Sequence, residues 1–390
     1  MKIVMVDPSL FTGRYDDGLC GGLARAGHAV TLAGRPLRPT DAIMPQGYAY
    51  DPRFFRWSEA LPVGGKVKQA AKAAGYLADA LAGSRAVFAG AGVVHWQWLP
   101  LALADRHWLR RLGGCHALVH TVHNAKPFHG DGAKEAVQGS GYFDLLRRFD
   151  ALIVHGEETR AALEARGIDV PVAIVPHPPM QLAPADASEL AAVPPSLRPR
   201  ILFFGTIKPY KGIDLLIDAA LTLWGDGADF DLAVAGQPFM PIDGEIERVR
   251  AAGFGERLIL DLGFLTEQRL DAHLRRADIL AFPYRHIDSS GAFLSACHYG
   301  AAMVTSDSGM FARLPQGAVS RFPAGDAGAL ADALRGLVAS AETREEAGRA
   351  ALALGMQMGN WDEAALLTAA VYERAMARAS ERGALLWDGV

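Results

Sequence analysis

Short apolar runs that end in glycine, proline or a histidine, each followed by a helical pattern, recur along this whole chain. The first part carries KIVMV from Lys2, VTLAG, GVVHW, ALVHTV, ALIVHG and VAIVP, and the pattern restarts at Ile201 with ILFFG, DLAVAG, RLILDLGFL, DILAFPY and AMVTSD. Runs apolar at every position suit strands buried on both faces, and helices between them suit parallel sheets. Such sheets are open and doubly wound, and ligands meet them beyond the carboxyl ends of the strands. At 390 residues the chain has room for two cores. Low periodicity and many prolines between Pro176 and Arg200 place a boundary there. The expected organisation is therefore α/β, with two doubly wound Rossmann-like domains facing across a cleft. The first covers 1–180 and a linker 181–199; the second covers 200–365, and a helix at 366–390 is expected to pack back toward the first.

Composition narrows the function classes. Half the residues are hydrophobic and the net charge is −4, which speaks against a nucleic-acid binder with a strongly basic face. Three cysteines, Cys20, Cys115 and Cys297, stand far apart without metal-ligand spacing, as in a reducing compartment. MKIVMVDPSL reads as a strand rather than a secretory leader, and no apolar run reaches the roughly 18 residues of a membrane span. The expectation is a cytoplasmic protein. One helix, DRHWLRRL, sets Arg106, Arg110 and Arg111 beside Trp108, Leu109 and Leu112. That face suits peripheral attachment to the inner surface of a membrane, or is simply a helix with one solvated side.

The chemistry-bearing residues cluster at strand ends. In PYRHIDSSGAFLSACHYG, Ser289, Ser290 and Gly291 turn a strand into a helix whose free N–H groups favour an anion. An ordinary serine-capped turn accounts for the same residues. In ILFFGTIKPYKG, Lys208 and Lys211 bracket a proline before a helix start, where cations are unfavourable unless an anion accompanies them. A phosphate ligand is the favoured reading of that pair. HTVHN puts His123 and Asn124 at a strand end, as catalytic or sugar-contacting groups or as hydrogen-bonded structural ones. Cys115, His116, His120 and His123 do not make a zinc site, because His120 and His123 have opposite parity on a strand. Gly13 lies in the first strand-to-helix loop without a G-x-G-x-x-G fingerprint. The aromatic stretch 47–60 either lines an acceptor groove or covers the core. DFD at 229–231 opens a strand and is read as a boundary rather than a metal motif.

In order and spacing, FFGTIKPYKGIDLLIDA, LDLGFL, ADILAFPYRHIDSSG and AMVTSDSG, preceded by HWQW, HTVHN, ALIVHG and VPHPP, resemble family 4 glycosyltransferases with the two-Rossmann-domain (GT-B) fold. The resemblance implies transfer of a hexose from a UDP- or GDP-linked sugar to a polysaccharide or lipid-linked oligosaccharide, with retention and without a cofactor or metal. It matches Lys208 and Lys211 to a basic pair holding the diphosphate. Ser290 and Gly291 match the turn at the distal phosphate, Phe264 and Leu265 the segment framing the base, and His123 a histidine near the sugar. Tyr15, Asp16 and Asn124 are the acceptor-side candidates. Family members carry a glutamate, seven residues, and another glutamate where this chain has Ile287 and Ser295. Asp288 or Arg285 would then replace the sugar contact. An inverting enzyme would instead need a base, for which His123, Asp16 and Asp17 are candidates. An epimerase, a phosphorylase and a non-catalytic nucleotide-sugar scaffold are the alternatives.

Overall fold

The computed structural model describes all residues except 39–40, 42, 61–64, 83–85, 125–140, 288–289 and 388–390. The chain forms two compact units, Met1–Pro178 with Gly359–Val390, and Pro179–Met358.

The first unit is built on seven parallel strands: β1 (Lys2–Val6), β2 (Ala29–Ala33), β3 (Ala49–Asp51), β4 (Val93–Trp96), β5 (Ala117–Val122), β6 (Ala151–Val154) and β7 (Val172–Ile174). Their order is β3-β2-β1-β4-β5-β6-β7. β4, β5 and β6 are buried along their whole length. Two-sided burial of this kind is why the apolar runs were legible as strands. The chain winds outward one way from β1 and the other way from β4, so the loops after these two strands diverge and leave a crevice at their carboxyl ends.

Helix Gly13–Arg25 lies on one face, and the terminal helix Trp361–Trp387 returns to pack beside it. Glycine permits the approach. A Cβ on Gly22 would stand 2.5 Å from the Trp361 carbonyl oxygen, and one on Gly18 2.4 Å from the Trp361 ring. Ala364, Ala365, Ala369, Val371 and Tyr372 complete the core there with Leu19, Leu23, Ile3 and Met5. The boundary between units lies at Met358 and Gly359 rather than at 365. Asn360 marks it, because its side-chain oxygen accepts from the N–H groups of Asp362 and Glu363, each at 3.0 Å, and starts the terminal helix.

The second unit carries six parallel strands: β8 (Arg200–Phe204), β9 (Asp231–Gly236), β10 (Leu258–Leu262), β11 (Ile279–Phe282), β12 (Ala302–Ser306) and β13 (Ser320–Phe322). Their order, β10-β9-β8-β11-β12-β13, reverses between β8 and β11. There the strands pair only at Ile279–Ile201 and Leu280–Leu202, so their carboxyl ends are free to splay.

The segment read as the linker, 181–199, groups with this unit. Ala183 N–H donates to Glu267 at 2.9 Å and Ala185 N–H to the buried Asp271 at 2.8 Å, tying the segment to helix Glu267–Arg275. In helix Ala102–Leu112, Trp108, Leu109 and Leu112 are at most 2 % exposed, and Arg111 lies over the Trp108 ring while donating to the Ala80 carbonyl. The apolar side of this helix is thus spent on the core, while Arg106 and Arg110 stay exposed. Among the described residues, no helix is long and apolar enough to cross a membrane. Asp229 and Asp231 pair with Arg198, and Asp229 also with Arg257, fixing a strand entrance as expected for a boundary.

Candidate functional site

In the second unit the loops after β8 and β11 flank the strand-order reversal. β8 ends in Gly205, whose φ of +91° turns the chain into TIKPYKG. Lys208 precedes the short 3₁₀ turn Pro209–Lys211, and Gly212 at φ +69° starts helix Ile213–Gly225. A Cβ on Gly212 would stand 2.1 Å from the Pro283 carbonyl oxygen, so glycine alone lets the lysine loop press against the end of β11. Lys211 is 6 % exposed, with its ammonium 5.3 Å from the centre of the Tyr284 ring. Burial lowers its pKa, and the Tyr210 hydroxyl acts against that shift. No carboxylate among the described residues pairs with it. Lys208 Nζ lies 5.7 Å over the ring of the exposed Phe239. Two ammonium groups, one of them buried without a counter-ion among the described residues, thus stand at a strand end where a ligand's negative charge would compensate them.

The β11 loop is stiffened from within. Arg285 donates to both oxygens of Asp214, at 3.0 and 2.5 Å, and to the Pro209 carbonyl at 2.9 Å, and its own N–H donates to Tyr210 O at 2.7 Å. Arg285 therefore clamps the lysine loop, where a sugar contact was expected. Ser290 caps helix Gly291–Ala296 by accepting from Phe293 N–H at 3.2 Å, and is itself buried. Its hydroxyl is committed to the turn. Asp288 and Ser289 lie outside the described residues. Phe264 is 66 % exposed and Leu265 half-buried after β10, placed on the same sheet edge as the lysines.

In the first unit a second cluster gathers at the strand ends, and most of it was not anticipated. His123, His155 and His177 follow β5, β6 and β7, and Tyr15 from helix Gly13–Arg25 sits among them. Its ring centre lies 5.0, 5.2 and 4.9 Å from theirs and 5.3 Å from Trp361. His123 stacks on Trp98 at 5.3 Å with 10° between planes, and Trp98 Nε1 donates to Thr12 Oγ1 at 3.0 Å. Thr12 in turn donates through its N–H to Asp7 at 3.0 Å. Both ring nitrogens of His123 are engaged, Nε2 at 2.9 Å from Gln97 Oε1 and Nδ1 at 3.1 Å from His155 Nε2. Burial, then the neighbouring imidazoles, push His123 well below the ordinary histidine range; burial takes His155 to about 4 and His177 to about 3. The cluster is therefore neutral near pH 7. Its sequence signal was a histidine directly after three consecutive apolar runs.

Two acceptor-side expectations change. Tyr15 and Asp16 are 2 % and 0 % exposed, because helix Gly13–Arg25 turns that side onto the sheet. Among the described residues, neither buried Asp16 carboxyl oxygen has a hydrogen-bond partner. Burial, and then the Asp7 carboxylate, raise its pKa well above the usual range, which favours the uncharged form. Gly13 opens the helix against Ile43, where a Cβ would stand 2.9 Å from Ile43 Cδ1, and Asn124 is half-buried beside His123. The histidines considered for zinc are used elsewhere. His116 Nδ1 pairs with Ala91 O, and His120 with Trp96 O and Tyr142 OH.

Residues 198–340 match the family model described as Glycosyl transferases group 1. The lipopolysaccharide core biosynthesis mannosyltransferase LpsB of Rhizobium meliloti (strain 1021) is 28% identical over 186 residues, 44% of this chain and 50% of that protein. The phosphatidyl-myo-inositol mannosyltransferase of Mycobacterium leprae (strain TN) is 33% identical over 193 residues, 48% and 50% respectively. The chain thus spans about half the length of these curated relatives. Sucrose-phosphate synthase from Thermosynechococcus elongatus has a similar structure, with a TM-score of 0.68 at 19% identity, covering 97% of this chain and 99% of that one. Anabaena HepE in complex with UDP and glucose gives 0.69 at 12% identity, covering 96% and 99%. These likenesses establish the GT-B fold.

Proposed function

We propose that this chain, a GT-B protein with a group 1 glycosyltransferase domain, moves a hexose from a UDP- or GDP-linked sugar to a polysaccharide or lipid-linked oligosaccharide acceptor. The observation that carries the reading is Lys211, a buried ammonium at the strand-order reversal with no carboxylate partner among the described residues. A diphosphate laid against Lys208 and Lys211 would supply the missing negative charge. It would also have its own developing charge neutralised as the bond to the sugar breaks. The two mannosyltransferase relatives and a neighbour holding UDP support a nucleotide-sugar donor.

Retention is the stereochemistry we favour. The acceptor hydroxyl attacks the anomeric carbon on the face the diphosphate leaves, the bond to the diphosphate oxygen breaks, and that oxygen takes the hydroxyl proton. No protein base is required. The candidate bases for inversion are poorly suited to the task. Asp16 is fully buried with its pKa raised, Asp17 accepts from the Tyr48 hydroxyl, and both nitrogens of His123 are engaged. The positive charge at the leaving group would come from the lysines. His123, at the end of β5, is the group we place nearest the sugar.

The test is release of nucleoside diphosphate from UDP- and GDP-sugars with a glycan acceptor present, and the stereochemistry of the product. Sugar-dependent turnover lost in Lys211→Met supports the reading. Tight binding without turnover on any acceptor would move the chain to the scaffold alternative.

A further inference from the structure

We infer that His155 is a positioning residue that fixes the proton of His123 on Nδ1, leaving a lone pair on Nε2. Its consequence for activity rests on the proposed role of His123 near the sugar.

The direction of each hydrogen bond follows from the chemistry of its partners. His155 Nδ1 stands 3.0 Å from the Val175 carbonyl oxygen, and a carbonyl only accepts. That nitrogen must carry a hydrogen. The ring is neutral near pH 7, so His155 Nε2 has only a lone pair. It lies 3.1 Å from His123 Nδ1, which must therefore supply the hydrogen of that bond. His123 is neutral as well, and its Nε2 is then an acceptor. Gln97 lies 2.9 Å away and must turn its NH₂ toward the ring, giving up the weak contact of that group with the Met5 sulfur. The Val175 carbonyl thus sets the proton positions of two imidazoles in series.

The packing holds the series in place. His155 is edged by Tyr15 at 5.2 Å and by His177 at 5.2 Å, and the opposite constraint on His123 is the Trp98 face. His177 binds the Pro178 carbonyl at 2.7 Å through its own Nδ1 and does not compete for His155 Nε2. Neither ring can turn over without breaking a half-buried hydrogen bond. In this state His123 Nε2 accepts from the Gln97 amide and cannot donate. A sugar hydroxyl could bind there only by replacing Gln97 as the donor, and a phosphate oxygen would be repelled, which separates its task from that of Lys208 and Lys211.

The experiment uses the full chain with ¹⁵N-labelled histidine, His123 being assigned by difference from His123→Gln. The ring ¹⁵N signals separate protonated from unprotonated nitrogens. At pH 7 the expected state of His123 is protonated Nδ1 and bare Nε2. A proton on Nε2 overturns the inference, and this reading needs no variant of His155 to fold. His155→Gln, whose amide can donate to Val175 and accept from His123, is expected to keep the tautomer. His155→Leu is expected to lose it, with kcat roughly ten- to hundredfold lower, KM for the donor little changed, and activity restored in His155→Gln. An unchanged tautomer in His155→Leu overturns the inference. A lost tautomer with full activity upholds the positioning and refutes the role of His123 near the sugar.

Discussion

Replacing Lys211 with methionine is expected to move stability and ligand affinity in opposite directions. The ammonium is 6 % exposed, lies against the Tyr284 ring at 5.3 Å, and is driven down in pKa by burial. Among the described residues it has no counter-ion, and a charge held this way costs the free protein stability. Methionine has similar length and no charge to desolvate, so the free variant should be more stable by about 1–2 kcal/mol. In a domain of this size that raises Tm by roughly 2–8 °C. A diphosphate would lose one charge-assisted hydrogen bond, about 1.5–3 kcal/mol, or roughly ten- to hundredfold in affinity. Thermal melts of both proteins, alone and with UDP or GDP, measure both effects because a ligand specific to the native state raises Tm. A variant that melts lower without ligand and keeps its full nucleotide-induced shift would refute the assignment, since Lys211 would then be a structural cation.

Other substitutions test the scaffold. Gly22→Ala places a methyl 2.5 Å from the Trp361 carbonyl and should force the terminal helix outward, costing about 1–3 kcal/mol in a thermal melt with the second unit unaffected. Asp271→Ala leaves the donors of Ala185, Tyr299 and Arg275 without their acceptor and should cost about 1–3 kcal/mol. It should also open 183–199 to limited proteolysis, and an unchanged cleavage pattern would contradict that tether. His120 is held by burial at about 4, below its unfolded value near 6.5, so the unfolded chain binds more protons between those limits. Its contribution is present above pH 6.5 and lost as the pH falls toward 4. His120→Gln should lessen the acid loss of stability across that window by up to about 3 kcal/mol, read as the difference between the two proteins.

The strands were legible because two-sided burial leaves an uninterrupted apolar run, as in ALIV and ILFF. The lysine loop was legible because cations before a helix start contradict the helix dipole. What escaped the sequence depends on partners far along the chain. Arg285 meets Asp214, Asp271 holds Ala185, and Trp108 is covered by Phe54 and Phe88, and none of these pairings has a local signature. The burial of Tyr15 and Asp16 was not foreseen because a loop reading gave way to a helix starting at Gly13, which turns both inward. The boundary at Gly359 did have a signal, an Asn cap at 360 before an apolar helix.

The central claim is that the second unit recognises a nucleotide through its diphosphate. Calorimetric titration of UDP and GDP beside uridine and guanosine measures it most directly. One diphosphate should bind at least tenfold more tightly than its nucleoside, with the difference largely erased in Lys211→Met. A nucleoside that binds as tightly as its diphosphate, or a difference untouched by Lys211→Met, would contradict it.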